Sequence, residues 1–469
     1  MSTGFSAEAL YPKLPVFLQN AACAYYGWRE ARVRFGPLFD RKLAELMQSE
    51  RWSESEIEAY QSEKLQELVR HAYENVPYYR QVMKQRNLVP KDIRRREDLP
   101  KLPILTKEDV RCNLDRLISE KARKRDLILR HTSGTTGTSL CFYSSRSGIA
   151  FQWAVWERHR RRFGVASNAW HVNFTGKRVV PAEQNRPPYW RWNPAMHQAL
   201  INMQQVNVNK IGPIVSFLND HSFDFYAGYP SIIHALALAA REKGLGLTTP
   251  PRVIVTGAEN VLAPQRRDIT AFTGAVMTDQ YGASEGCGNA SHCPAFVYHE
   301  DFEFGILECE DPAPGGDGRW RGGILCTGFA NPEFPFIRYR IGDTALWENP
   351  ASICPCGRRS CALLAIEGRL DDYVITPEGN RIMRFDYLFK DTQNIRECQV
   401  VQDKLGEITI RVVRRPEYSA KDETLVVDEV HRWISPRLGV VFDYVSEIPR
   451  ETNGKFRAVK SLLPKQSAV

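Results

Sequence analysis

No stretch of this chain approaches the ~18 consecutive apolar residues that a bilayer-spanning helix requires, and the start lacks the basic-then-apolar layout of a secretory leader. The expectation is a cytoplasmic protein with no membrane partner. No internal repeat or low-complexity tract is visible, and Gly and Pro are used modestly, so nothing reads as disordered. A disulfide framework is also missing. The cysteines number 11, an odd count for a chain of 469 residues, and Cys23, Cys141, Cys309 and Cys326 sit singly in apolar settings, as reduced core thiols do. The formal net charge of +8 comes with two dense basic runs, Arg158-His159-Arg160-Arg161-Arg162 and Arg94-Arg95-Arg96. Neither run is interleaved with aromatic stacking platforms, and no nucleic-acid module accompanies them, so nucleic acid is not expected. The plain reading of these runs is a solvated helix face; the functional reading is attraction of phosphorylated small molecules.

What is present is enough for more than one domain, because single hydrophobic cores rarely grow beyond ~250–300 residues. With 43% apolar residues the chain can build a real core. Residues 53–76 read as a helix, with Ser53 and Glu56 at capping-box spacing and Leu65, Leu68, Val69 and Ala72 on one face. Residues 97–111 form a proline-rich connector, 149–163 a helix carrying Phe151, Trp153 and Trp156, and 164–200 has no clear period. Short apolar runs then alternate with helical ones: 223–226, 231–243, 253–256 and 263–272. That rhythm argues βαβ units and a mostly parallel sheet. Residues 304–328 are strand-like with Gly and Pro turns. The last hundred residues change character, to a hairpin around Gly406 with Ile408, Ile410 and Val412 alternating, a helix over 423–434 and a strand over 440–445. The expected fold class is α/β, a large domain over 1–370 with mixed sheets and flanking helices, and a small α+β domain over 371–469.

The densest chemical signal is Arg130-His131-Thr132-Ser133-Gly134-Thr135-Thr136-Gly137-Thr138. Glycines let a backbone approach an anion, and successive N–H groups with hydroxyls donate to its oxygens, so such a loop can wrap phosphates. It is not the common nucleotide loop that ends in Gly-Lys-Ser/Thr, since no lysine follows the last glycine. Alone, a Ser/Thr/Gly cluster is a surface turn. Here four segments follow it in order: Asp279-Gln280-Tyr281-Gly282-Ala283-Ser284-Glu285, Phe336 through Asp343, Gly368-Arg369-Leu370-Asp371-Asp372, and Asn453-Gly454-Lys455.

With those five motifs the chain resembles the adenylate-forming superfamily of acyl-CoA synthetases, adenylation domains and luciferases. Within it, the chain is similar to the phenylacetate-CoA ligase and capsule-biosynthesis branch. Three features carry that narrower likeness: the stretches from His71 to Tyr79 and from Leu99 to Lys107, the Asn331-Pro332-Glu333-Phe334-Pro335 lead into the arginine motif, and a late cysteine cluster. The resemblance implies a two-domain ligase that uses ATP and Mg²⁺ to turn a small carboxylic acid into an acyl-adenylate, and then passes the acyl group to coenzyme A. It makes Thr132, Ser133, Thr135 and Thr136 hydrogen-bond donors to the β- and γ-phosphates, with Gly134 and Gly137 giving room. Thr138 stands where the family often has lysine. Tyr281 and Gly282 would border adenine, Ser284 the α-phosphate, and Glu285 would hold Mg²⁺, a hard cation that prefers carboxylate oxygens. Gly257, Ala258 and Glu259 would border adenine and the acyl pocket, Asp343 would accept from both ribose hydroxyls, and Arg369 would add a ribose or phosphate contact. Asp371 falls at the family hinge, and Lys455 at the lysine that neutralises carboxylate and α-phosphate. Small Ala258 and Ala283 suggest room for an aromatic or branched acid.

Cys354-Pro355-Cys356-Gly357-Arg358-Arg359-Ser360-Cys361 gathers three thiols, and Cys293 with His299 lies about sixty residues earlier. Thiolates with an imidazole suit tetrahedral Zn²⁺. The branch includes members with zinc on a Cys-x5-His pair and a Cys-x-Cys pair, which implies Cys293, His299, Cys354 and Cys356 as ligands of a structural zinc, with Cys361, Cys287 and His292 as alternatives. The acceptor stays open among coenzyme A, an amine, a carrier-protein thiol and a sugar, and a homodimer, common in the branch, leaves no interface pattern. A non-catalytic nucleotide-binding scaffold would be expected to have lost Glu285 or Lys455; both are present.

Overall fold

The computed structural model describes residues 10–131, 140–181, 183–369, 373–377, 381–382, 392, 394–450 and 456–463. The chain forms two compact units: Met1–His171 with Trp192–Ala199 and Thr278–Ile366, and Val172–Arg191 with Leu200–Met277 and Glu367–Val469.

The helices of the first unit are α1 (Val16–Arg34), α2 (Pro37–Ser49), α3 (Glu54–Asn75), α4 (Pro77–Gln85), α5 (Lys107–Cys112) and α6 (Arg146–Arg162). In α3 the expected capping box is formed: Ser53 Oγ accepts from the Glu56 N–H, and the Glu56 carboxylate accepts from the Ser53 N–H at 2.8 Å. Leu65, Leu68, Val69 and Ala72 are buried in a cluster with Phe142, Tyr339 and Leu363, and each fully buried leucine contributes roughly 2 kcal/mol. Pro77 ends the helix by forcing Val76 extended (φ −118°, ψ 109°), then starts α4 with its own fixed φ. The connector over 97–111 is more regular than its prolines suggested. It holds a 3₁₀ turn at Arg96–Lys101 and then α5, capped by Thr106.

Strands of this unit follow the order Gly305–Gly316, Arg319–Gly328, Tyr339–Trp347, Ala362–Arg369, Tyr298–Glu300, Asn289–His292, Val276–Gly282. The first two are the strand-like 304–328 region folded as a hairpin. Asp317 and Gly318 both take positive φ (52° and 72°), the pattern of a two-residue type I′ turn. Pairing along the sheet is antiparallel at Leu307↔Cys326, Trp320↔Trp347, Tyr298↔Leu363, Tyr298↔His292 and Tyr281↔Ala290. The βα rhythm that implies parallel strands lies at residues 223–272, in the other unit; here the turns expected over 304–328 give antiparallel neighbours.

A correction concerns the basic run at 158–162, where Arg158 is 0% exposed. Its Nη2 donates to Asp301 Oδ1 at 2.7 Å and its Nη1 to Glu303 Oε1 at 2.6 Å. Burial pushes the Asp301 carboxyl up, but Arg158, Arg162 and Arg358 outweigh it and hold that carboxyl well below its ordinary range. Arg158 is an internal ion-pair hub and faces neither solvent nor a substrate, since a buried guanidinium is tolerated only among fixed carboxylates.

In the second unit the helices are α7 (Ile211–Asp220), α8 (Pro230–Glu242), α9 (Ala263–Thr273) and α10 (Ala420–Trp433). Here the rhythm does give parallel pairing, Phe225↔Val253 through Gly228↔Thr256. The unplaced 164–200 region supplies strands His171–Thr175 and Gln198–Asn202. Near the C-terminus Gly439–Tyr444, Glu407–Arg414, Ile395–Gln402 and Val459–Ser461 form a separate four-stranded sheet. Ile408, Ile410 and Val412 point into its core with Val426 and Val430 of α10, as their alternation requires. Among the described residues no helix is long and apolar enough to cross a membrane.

Candidate functional site

In the first unit, strand Val276–Gly282 runs directly into a tight turn. Gly286, with φ +71°, donates its N–H to the Ala283 carbonyl at 3.0 Å, and Ala283 donates to Gly288 O at 3.1 Å. This folds Glu285 inward, where it is buried, and leaves Ser284 and Gly282 exposed. Strand Tyr339–Trp347 meets the turn with two hydrogen bonds. The Tyr281 hydroxyl donates to Asp343 Oδ2 at 2.8 Å, and the Tyr339 hydroxyl donates to Glu285 Oε1 at 2.9 Å. Three of the predicted residues, about sixty positions apart in sequence, thus share one place.

Burial pushes the Glu285 carboxyl up; its hydrogen bonds and the Lys107 cation offset this in part, and Asp343 adds to it. Lys107 opens α5, and its Nζ lies 3.3 Å from where a Cβ on Gly342 would sit, so the left-handed glycine (φ +90°) lets the ammonium approach. Sequence reading missed Lys107 as a site residue, although it closes the Leu99 to Lys107 stretch. A carboxyl raised in the folded state favours folding only as it takes up its proton. Its contribution to stability falls as pH rises from the unfolded value of about 4.3 through the folded one. Glu285→Gln is therefore expected to raise the thermal midpoint at pH 8 and leave it unchanged at pH 4. If turnover needs the ionised carboxylate, Lys107→Met should move the acid limb of the kcat/KM profile to higher pH. Superimposable profiles would remove Lys107 from the site.

In the second unit, strand Val253–Gly257 leads to Ala258 and Glu259. The residue in the left-handed region is Ala258 (φ +67°). A non-glycine held there costs about 1–2 kcal/mol and implies a constrained turn. Glu259 accepts from the Ser231 N–H and Ser231 Oγ, both at 3.1 Å, at the first turn of α8, and its Oε1 accepts the Phe456 N–H at 2.6 Å. Burial pushes its carboxyl up against these three donors. Glu259 is thus tied to the residue that follows Lys455.

The cysteine and histidine residues form a second centre in the first unit. Sγ of Cys293, Cys354 and Cys356 and a ring nitrogen of His299 all lie within 4.8 Å of one another. Cys293 opens the turn between two antiparallel strands, donating its N–H to Val297 O at 2.9 Å, and His299 sits on the second strand. Gly357 (φ +81°) folds the Cys354 loop by donating to the Cys354 carbonyl at 2.9 Å. The His299 Nδ1 faces Ser360 O at 3.3 Å, so Nδ1–H donates there and Nε2, 3.4 Å from Cys356 Sγ, is the nitrogen left for a cation. Burial, with Arg358 nearby, holds His299 down to about 4, so the ring is neutral as a ligand must be. The Arg358 N–H points at Cys356 Sγ from 3.5 Å. Three thiols and one imidazole in a closed, half-buried group fit Zn²⁺. The alternatives lie elsewhere: His292 Nδ1 accepts the Asp279 N–H at 3.0 Å, Cys361 lies by Arg96 and Glu300, and Cys287 is buried beside Cys326.

A family model described as the CapK C-terminal domain matches residues 374–462. Protein CapK of Staphylococcus aureus is 23% identical over 458 residues, covering 96% of this chain and 98% of that protein. Phenylacetate-coenzyme A ligase of Aromatoleum evansii is 26% identical over 446 residues, 89% of this chain and 97% of the relative. The fold matches a crystal structure of 2-hydroxyisobutyryl-CoA ligase in the postadenylation state, with a TM-score of 0.68 at 18% identity, covering 89% of this chain and 91% of that one. These relatives bear out the resemblance to the adenylate-forming superfamily, in its phenylacetate-CoA ligase-like branch.

Against the superfamily's motif order, the positions divide cleanly. Tyr281, Glu285 and Asp343 come together in the first unit, with Ser284 and Gly282 exposed beside them. Gly257, Ala258 and Glu259 follow one strand of the second. Arg369 ends strand Ala362–Arg369. The phosphate-loop residues Thr132, Ser133, Gly134, Thr135, Thr136 and Gly137, the hinge Asp371 and Lys455 lie outside the described residues. The strands on either side of the loop are paired, His131 opposite Cys141, which fixes its two ends together.

Proposed function

We propose that this protein activates a carboxylic acid with ATP, releasing pyrophosphate, and passes the acyl group to the thiol of coenzyme A. The acid carboxylate attacks the α-phosphorus; the α–β phosphoric anhydride bond breaks and pyrophosphate carries away the electron pair. The thiolate then attacks the acyl carbon, the acyl–phosphate C–O bond breaks, and AMP leaves with the electron pair. The observation that carries the reading is the convergence of Tyr281, Glu285 and Asp343 through the two tyrosine hydrogen bonds. It gathers a flat aromatic ring, a buried carboxylate and a second carboxylate, the chemical types that would meet a nucleotide's base, a magnesium ion and a ribose. Mg²⁺ on Glu285 would neutralise phosphate charge. Ser284 would donate to the α-phosphate, Glu259 and Ala258 would border the adenine and acyl pockets, and Lys455 would stabilise the charge that develops at the α-phosphorus. The named phenylacetate-coenzyme A ligases, and the ligase crystallised with an acyl-adenylate, support this chemistry. The acid is proposed to be aromatic or branched, given the small Ala258 and Ala283.

A second reading rests on the match of residues 374–462 to the CapK C-terminal domain. By resemblance this segment is the mobile domain that turns between the two half-reactions, so an acceptor other than coenzyme A, such as an amine, a carrier-protein thiol or a sugar, fits equally. The deciding measurement is pyrophosphate release across aryl, arylacetic, branched and short linear acids, each with and without coenzyme A. Release that needs one acid class and rises with coenzyme A establishes the ligase. Release indifferent to coenzyme A moves the assignment to the other acceptors, and no release with any acid defeats the proposal.

A further inference from the structure

Helix α1 is built inside out. At about 100° per residue, Gln19, Asn20, Cys23, Gly27, Glu30 and Arg34 share one face, and that face packs against the protein. The Asn20 side chain accepts the Trp192 N–H at 3.0 Å, Gln19 Nε2 donates to Leu14 O at 2.8 Å, and the Glu30–Arg34 ion pair lies along it. A Cβ on Gly27 would come within 1.9 Å of Asn193 Oδ1, so the helix is seated as closely as a backbone allows.

The opposite face is apolar and faces solvent. Phe17 is 69% exposed, Tyr25 61%, Tyr26 51%, Trp28 48% and Leu18 40%. All but Tyr26 fall within an arc of about 100° on the helix. An ordinary surface helix has the reverse arrangement, so this face is made to be covered.

Charge decides what covers it. Over residues 10–35 the exposed charged side chains are Lys13, Arg29 and Arg32, and the single acid, Glu30, is half-buried and paired with Arg34. Arg32 lies within the aromatic arc itself and stacks over the Trp28 ring at 4.9 Å, and Arg29 borders the arc about 20° beyond Leu18. A second copy docked by a twofold axis would bring both copies' Arg29 and Arg32 into one contact with no exposed acid from residues 10–35 to pair them. Tryptophan and tyrosine mixed with arginine, with no exposed acid, is the composition that settles at the headgroup level of an anionic bilayer.

We propose that α1 is a membrane-surface helix that docks this protein on anionic lipid, lying in the interface plane with Phe17, Tyr25 and Trp28 inserted and Arg29 and Arg32 at the phosphates. The expectation of no membrane partner rested on the missing apolar run. An interfacial helix needs an apolar face, which a search for runs does not detect.

The test is vesicle flotation of the full chain with phosphatidylglycerol/phosphatidylcholine vesicles, with phosphatidylcholine vesicles alone, and at low and high salt. Expected is flotation with the anionic vesicles that weakens with salt, falls roughly five-fold for each cation removed in Arg29→Gln and Arg32→Gln, and is lost in Phe17→Ser/Tyr25→Ser/Trp28→Ser. These positions are exposed, so the thermal midpoint of the triple variant should match the parent and a loss of flotation reports docking. Failure to float with anionic vesicles overturns the proposal, as does equal flotation of the triple variant or equal binding to phosphatidylcholine. A parent that sediments as a dimer and a triple variant that sediments as a monomer, with no flotation by either, would assign the face to a second copy instead.

Discussion

Lys455→Ala should lower acid-dependent pyrophosphate release by about 10²-fold or more, while hydrolysis or thiolysis of a supplied acyl-adenylate continues near the parent rate. The factor follows from the usual worth of one preorganised donor at a developing charge, ~2.7–4 kcal/mol. The asymmetry follows from the resemblance, in which this lysine serves the first half-reaction and leaves before the second. Geometry supplies an independent handle. Glu259 holds the Phe456 N–H at 2.6 Å while accepting twice from Ser231, so the residue after Lys455 is anchored to the turn that follows strand Val253–Gly257. Farther along the same unit, Arg415 Nη2 reaches Asp268 Oδ2 at 3.0 Å, and His234 Nε2 meets the same oxygen at 3.0 Å. If these contacts belong to the adenylating arrangement, Glu259→Ala should reduce pyrophosphate release more than it reduces consumption of supplied adenylate. Equal loss of both half-reactions in Lys455→Ala would end the domain-rotation reading, whatever the substrate proves to be.

What could be read ahead of the structure was whatever has a local cause. The capping box of α3 joins residues three apart, and the alternation of Ile408, Ile410 and Val412 reflects the two-residue period of a single strand; both appear as expected. The motif order located Tyr281, Glu285 and Asp343, yet not the hydrogen bonds between them, because a tyrosine's partner about sixty residues away leaves no periodic trace. Arg158 fails for the same reason. A run of five basic residues looks like a solvated face until Asp301 and Glu303 arrive from a distant strand region to bury it. Helix α1 was missed for another cause: its apolar residues point outward and its polar ones inward, so the pattern that normally marks a core-facing stripe is inverted. Lys107 was overlooked because its role depends on Gly342 making space for it.

Elemental analysis should find about one zinc per chain, and its removal should cost more stability than any single side chain discussed above. The four donors span two pieces of chain: the strand pair that carries Cys293 and His299, and a loop of six residues from Ser352 to Gly357 with no regular structure. Burial pushes the Cys354 thiol up to about 12, so this group remains a thiol unless a cation displaces its proton; binding must release protons and strengthen with pH. A structural zinc contributes on the order of 10 kcal/mol in small domains. Even ~4 kcal/mol of that lowers the midpoint by about 8–16 °C at the usual 2–4 °C per kcal/mol. Cys354→Ser should show the same fall together with loss of the bound metal. Cys361→Ser should keep the metal, since its sulfur lies outside the four-donor group. A chelated protein with an unchanged midpoint would reject the structural role. Metal retained by Cys354→Ser and lost by Cys361→Ser would reassign the ligand set, because Cys361 lies by Arg96 and Glu300, apart from the four-donor group.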